Sequence, residues 1–148
     1  LSKKEWVIVR PTSVYGFTDC ANRVSQLLID AACLNKPAWV VKGETLDFSY
    51  IDDVADGFIK TTLTSEANHE TFNISRGVAR TAAEFAKILK NYFPDFEYEV
   101  REPVAQQVYR GPQDIQKARK VLGFDPKYSI ELGIKKILQL TEEYQFYT

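Results

Sequence analysis

Methionine is missing altogether from the 148 residues, and histidine occurs once, as His69. There are two cysteines, Cys20 and Cys33. Two thiols cannot build a disulfide framework or a four-ligand zinc site. Both are expected on or beside one helix, as small apolar residues in a reducing compartment. His69 stands in the polar stretch Ser65 to His69 and reads as a solvated loop histidine rather than a general base. No apolar run approaches the roughly 20 residues that span a bilayer, and no leader-like segment stands at the start. A membrane partner is therefore not expected, and a cytoplasmic location is. The 19 basic and 20 acidic residues leave a net charge of -1 with no basic run, so there is no electrostatic case for nucleic acid.

What is present is ordinary for a globular α/β chain: 45% hydrophobic and 26% charged residues, enough at this length to bury one core. The organising stretch is Trp6 to Gly16, WVIVRPTSVYG. The run Trp6 to Val9, closed by Arg10-Pro11, predicts a parallel-sheet strand buried on both faces. Pro11 cannot donate to a ladder, so the strand ends there. Thr12, Ser13 and Tyr15 then place three hydroxyls past its carboxyl end, where open α/β sheets bind ligands.

The rest alternates. Thr18 or Asp19 is expected to cap a helix from about Ala21 to Asn35, stopped by Lys36-Pro37. Ala38 to Val41 reads as a strand and Phe48 to Ile51 as extended. Asp52 and Asp53 read as the cap and first-turn acid of a helix whose buried face carries Val54, Ala55, Phe58, Ile59 and Thr62. Thr71 to Ile74 is a strand, and Thr81 to Glu84 a capping box. Phe96 to Arg101 alternates as a strand with one wet face. Asp114 caps a short helix that Gly123 stops, and Ser129 caps the last. Paired carboxylates invite a catalytic reading, but capping suffices for Asp52, Asp53 and Asp114.

Four stretches together resemble the extended short-chain dehydrogenase/reductase family of NAD-dependent epimerases and dehydratases. They are RPTSVYG at Arg10 to Gly16, LDFSYIDDVADGF at Leu46 to Phe58, TFNISRG at Thr71 to Gly77, and DIQKARKVLGFDPKYSIELGI at Asp114 to Ile134. The resemblance implies the carboxyl-terminal part of a Rossmann-type fold: a small mixed α/β substrate lobe plus the last strands and helices of the cofactor sheet. It implies one unit over 1–148, with 1–17 ending the nucleotide-binding sheet, 18–48 and 79–127 forming the substrate lobe, and 49–78 and 128–148 packing back on the sheet.

The resemblance also assigns roles. Pro11 and Thr12 match positions beside the nicotinamide of NAD or NADP. Ser13 stands where the family has an asparagine that bonds the substrate near its diphosphate. Val40, Val41 and Lys42 match the strand that cradles the nucleotide base. Leu46 replaces a diphosphate-binding arginine, and Val104 to Gln107 lacks a second; Arg110 is the expected substitute, with Arg101 nearby. The sequence holds no G-x-x-G-x-x-G and no Tyr-x-x-x-Lys, the phosphate turn and acid/base pair of that family. The chain alone is therefore expected to be an inactive fragment that binds a nucleotide sugar and pairs with the missing half or with a second copy. A reductase or dehydrogenase acting on a less anionic substrate is the alternative within the fold, and a non-catalytic binding module the alternative outside enzymology.

Overall fold

A computed structural model describes residues 5–104 and 110–147. Its strands form four two-stranded ladders. Strand β1 (Val7–Pro11) runs parallel to β6 (Glu70–Ile74), with Val9 opposite Phe72. Strand β2 (Val14–Tyr15) runs parallel to β5 (Ser49–Tyr50), and β3 (Ala38–Val41) parallel to β8 (Tyr98–Arg101). Strand β4 (Thr45–Leu46) is antiparallel to β7 (Arg80–Thr81). Among the described residues five α-helices, α1 (Val24–Cys33), α2 (Ile51–Leu63), α3 (Ala82–Lys90), α4 (Gln116–Leu122) and α5 (Ile130–Glu143), and a short 3-10 turn at Ser65–Ala67 complete the order. Among the described residues no helix is long and apolar enough to cross a membrane.

Two apolar clusters hold these elements. The larger joins Leu28 and Ile29 of α1, Phe85 and Leu89 of α3, Ile134 and Ile137 of α5, and the rings of Tyr15, Phe48 and Tyr50. The smaller joins Val54, Phe72, Ile74, Ala118, Leu122 and Phe124. Helix α4, in the stretch expected within the substrate lobe, thus packs beside β6, and α5, in the stretch expected on the sheet, packs beside α3.

Several local expectations hold for the stated chemical reason. The capping box is complete: Glu84 N donates to Thr81 Oγ1 at 3.1 Å and Thr81 N donates to Glu84 Oε2 at 2.7 Å. Ser129 Oγ accepts from Leu132 N at 3.3 Å. Gly123 ends α4 at φ 61°, the left-handed region where a side chain is penalised. Asp114, however, is not the cap of α4: the N-cap is Ile115, without a side-chain bond, and Asp114 Oδ1 accepts from Gln116 N at 2.9 Å from one residue outside it.

Four further expectations change. Strand β1 is not buried on both faces. Val7 and Val9 pack on the smaller cluster, while Ile8, which alternation turns to the opposite face, is 48% exposed and belongs to neither apolar cluster of the described residues. Helix α1 begins at Val24 without a side-chain cap. Asp19 Oδ1 instead accepts from Ala21 N at 3.0 Å, and Asn22, at φ 50°, interrupts any earlier start. Neither aspartate caps α2, whose N-cap is Tyr50 without a side-chain bond; Asp52 and Asp53 both lie in the first turn, and Asp53 is buried, its two oxygens accepting from Lys127 N at 2.7 Å and Tyr128 N at 2.9 Å, which ties α2 to the entry of α5. The buried face of α2 runs through Val54, Gly57 and Thr61 rather than Ala55, Phe58, Ile59 and Thr62, which are exposed. Gly57 sets this, because a Cβ there would overlap the Ile74 side chain, so the helix presses its glycine to β6.

Candidate functional site

The tip of β1 opens on a cavity of about 540 Å³. Pro11, Thr12, Ser13 and Val14 form one wall, and Arg23, Val24 and Ser25 at the start of α1 a second. Glu44, Leu46 and Phe48 form a third, and Arg110 reaches in from the irregular segment before α4. Pro11, Thr12, Ser13 and Arg110, chosen from sequence at widely separated positions, therefore meet around one space.

Each wall has a local cause. The Thr12 and Ser13 hydroxyls are 3.5 Å apart. Ser13 adopts φ 42°, a left-handed backbone that costs a serine about 1–2 kcal/mol and an asparagine less. Its carbonyl accepts from Ser49 N at 3.2 Å, which ties the turn to β5. Arg23 Nη1 donates to Val14 O at 2.9 Å, so this guanidinium is braced across the mouth. Thr45 Oγ1 donates to Arg110 O at 2.9 Å and fixes the backbone of that arginine. The rim thus carries two guanidinium groups, three hydroxyls and the Glu44 carboxylate, over an apolar floor of Leu46 and Phe48.

A second cavity of about 450 Å³ adjoins the first, sharing Val24 and Glu44. It lies between α1 and β3 and includes Val40 and Val41 with Leu27 and Trp39. Val40 is buried and Val41 half-buried. Lys42 lines neither space: it is exposed, and its Nζ pairs with Glu102 Oε1 at 2.7 Å. The guanidinium of Arg101, the other basic candidate, sits 5.1 Å over the Trp39 ring and pairs with Glu99. Of the stretch Val104 to Gln107, only the exposed Val104 lies within the described residues.

Tyr15 departs from its expected place. Its ring is 2% exposed, edge-on to Phe48, Tyr50 and Phe85, and its hydroxyl faces the core. Burial raises its pKa above the usual tyrosine value, with Tyr50 and Asp53 adding to the shift. It is a packing residue and not part of the cavity rim. His69 is exposed, with its ring 5.3 Å from that of Trp6 and its backbone N–H donating to Trp6 O at 2.7 Å.

Three residues were missed from sequence. Arg23 falls within the expected helix, off its apolar stripe; in the structure it is the N-cap residue of α1 and its guanidinium turns toward β2. Glu44 sits in a turn signal that does not reveal which way its side chain faces. Asp47 lies inside the quoted stretch Leu46 to Phe58, yet its carboxylate is 2% exposed and gathers Ser75, Gly77 and Gln113.

No family model matches the chain. An uncharacterized epimerase/dehydratase of Staphylococcus aureus is 32% identical over 116 residues, which are 72% of this chain and 35% of that protein. Among solved structures, the UDP-glucuronic acid 4-epimerase of Bacillus cereus, in complex with UDP-glucuronic acid and NAD, is 25% identical. It superposes with a TM-score of 0.79 over 90% of this chain and 45% of its own. The UDP-glucose 4-epimerase of Thermotoga maritima, with UDP-glucose, shares the fold at a TM-score of 0.83 and 24% identity, over 95% of this chain and 47% of its own. The chain thus spans about a third of that curated relative in the aligned region and under half of the solved proteins it matches. By sequence and by its mixed α/β Rossmann-type architecture, the chain belongs to the epimerase/dehydratase family of extended short-chain dehydrogenases/reductases.

Proposed function

We propose that the chain is the substrate-binding portion of an NAD(P)-dependent nucleotide-sugar epimerase or dehydratase, and that it is not catalytic alone. The observation that carries this reading is the meeting of Pro11 to Ser13 with Arg23 and Arg110 around one cavity of about 540 Å³, within the size range of small-molecule sites. A guanidinium fork suits a diphosphate because two parallel N–H groups match two phosphate oxygens. Arg23 and Arg110 supply the cationic pair that Leu46 cannot. Ser13 and Thr12 can donate or accept at the phosphates or sugar, and Glu44 can accept from sugar hydroxyls. The adjoining groove at Val40 and Val41 suits the nucleobase, with Lys42 held outside it by Glu102.

Pro11 and Thr12, at the open end of β1 in the same cavity, fit a contact with one face of a nicotinamide ring. Bound there, NAD or NADP supplies the site where a hydride is taken up and returned. The dinucleotide's diphosphate calls for a glycine-rich turn at a helix start, and this sequence contains none; this supports inactivity of the chain by itself. The substrate lobe in this reading comprises 18–48 and 79–127, with 1–17, 49–78 and 128–148 on the cofactor side and α4 and α5 as struts across the seam. The exposed Trp6, Ile8, Phe58, Ile59 and Leu63 suit burial against the cofactor half or a second copy.

Calorimetric titration of the complete protein with UDP and with UDP-glucose tests the reading. Saturable binding of both, weakened by Arg110→Ala, is the expected result. The apolar Leu46, 6% exposed in the cavity wall, favours a second reading, a reductase or dehydrogenase acting on a less anionic substrate. Hydride transfer to an uncharged carbonyl compound, with no binding of UDP, would establish that alternative.

A further inference from the structure

Arg110 lies in a stretch, 110–113, that belongs to no helix or strand. Such a stretch needs outside partners for its backbone polar groups. Two residues supply them. Thr45 Oγ1 donates to Arg110 O at 2.9 Å, and Asp47 Oδ2 accepts from Gln113 N at 3.0 Å. Thr45 and Asp47 are alternate residues of one segment, spaced to share a face where a chain is extended, and they grip the stretch at both ends. Asp47 is itself fixed. Its carboxylate also accepts from Ser75 Oγ at 2.9 Å, out of solvent, and from the half-buried Gly77 N at 3.1 and 3.2 Å.

We propose that Asp47 is a positioning residue for the cavity: its buried carboxylate, with the Thr45 hydroxyl, holds the Arg110 backbone where the guanidinium can reach a bound diphosphate. This rests on the reading of Arg110 as an anion ligand. Every group whose hydrogen bond Asp47 accepts is a donor, so an ionised carboxylate, which only accepts, satisfies them all. An asparagine of the same shape turns an N–H₂ toward at least one of these donors and breaks that bond. Thr45→Val removes the other grip at a half-buried position, keeping the branched shape.

The test uses the complete protein, UDP as the probe, titration calorimetry for affinity and thermal melting for the fold. The variants are Asp47→Asn, Thr45→Val, Arg110→Ala, and each of the first two combined with Arg110→Ala. If Asp47 and Thr45 act through Arg110, each single variant weakens UDP binding by about fivefold or more, and each costs less than about twofold once Arg110 is alanine. The same loss with and without Arg110 overturns the positioning role and leaves a general structural one. Full affinity in Thr45→Val and Asp47→Asn overturns it as well. If Asp47→Asn does not fold, Thr45→Val and its double variant decide the matter alone. Unchanged UDP binding in Arg110→Ala would instead remove the reading of the cavity on which the proposal stands, and the proposal with it.

Discussion

Gly133 of α5 lies directly against the hydroxyl end of Tyr15: a Cβ at 133 would fall on the hydroxyl oxygen and come within 2.8 Å of Cζ. The glycine is there to admit the ring. The Tyr15 hydroxyl is buried with no hydrogen-bond partner among the described residues. Gly133→Ala is therefore expected to destabilise the protein by about 1–3 kcal/mol through overpacking. Tyr15→Phe is expected to be neutral or slightly stabilising, since an unpartnered buried hydroxyl costs free energy. The double variant should recover part of the Gly133→Ala loss, because both changes meet at one point. Chemical denaturation of the four proteins measures all three effects.

Ser13 supplies a second test. Its φ of 42° is unfavourable for a serine and better tolerated by asparagine or glycine. Ser13→Asn should raise stability by roughly 0.5–1 kcal/mol, read as an upward shift in Tm. An unchanged or lowered Tm would show that the hydroxyl contact with Thr12 outweighs the backbone strain.

These two positions also show what the sequence could reveal. The stretch Arg10 to Gly16 marks a strand ending at a site, and Pro11, Thr12 and Ser13 line the cavity. Tyr15 in the same stretch points the other way, because β2 pairs with β5 and turns the ring into the core. Local chemistry was legible where donor and acceptor lie a few residues apart, as in the capping box of Thr81 and Glu84 and the cap at Ser129. Asp53 and Asp47 were not, since their partners Lys127, Tyr128, Ser75, Gly77 and Gln113 lie far along the chain. Periodicity misassigned the buried face of α2 because Gly57, with no side chain, carries no apolar signal although it makes the closest approach.

Acid should loosen α3 through its cap. The backbone N–H of Thr81 bonds the Glu84 carboxylate, with the Thr81 hydroxyl and Arg80 adding to the effect, and these hold its pKa below the usual glutamate value. A group whose pKa is lowered on folding contributes stability that is present above its unfolded pKa. That stability is lost as pH falls through the lowered folded value. Glu84→Gln should therefore flatten the acid limb of the stability curve and change little near neutrality beyond a constant offset. Thermal melts between pH 7 and pH 3 measure this; an unchanged acid limb contradicts it.

Arg23 and Arg110 are expected to act on affinity rather than on folding. Both are exposed at the cavity rim, so Arg23→Ala and Arg110→Ala should leave Tm nearly unchanged. Each should weaken nucleotide-sugar binding by the order of 1–3 kcal/mol, the range for a hydrogen bond to a charged group. Lys42→Ala, removing a side chain already paired with Glu102, should cost much less. Titration calorimetry of the complete protein ranks the three.

The central claim is that the cavity beneath the tip of β1 takes the diphosphate of a nucleotide sugar between Arg23 and Arg110. A crystal structure of the complete protein with UDP-glucose tests it most directly. Phosphate oxygens are expected within hydrogen-bond distance of both guanidinium groups, with Ser13 beside them and the base in the groove at Val40 and Val41. UDP-glucose bound elsewhere, or bound in the cavity with neither arginine touching a phosphate, would contradict it.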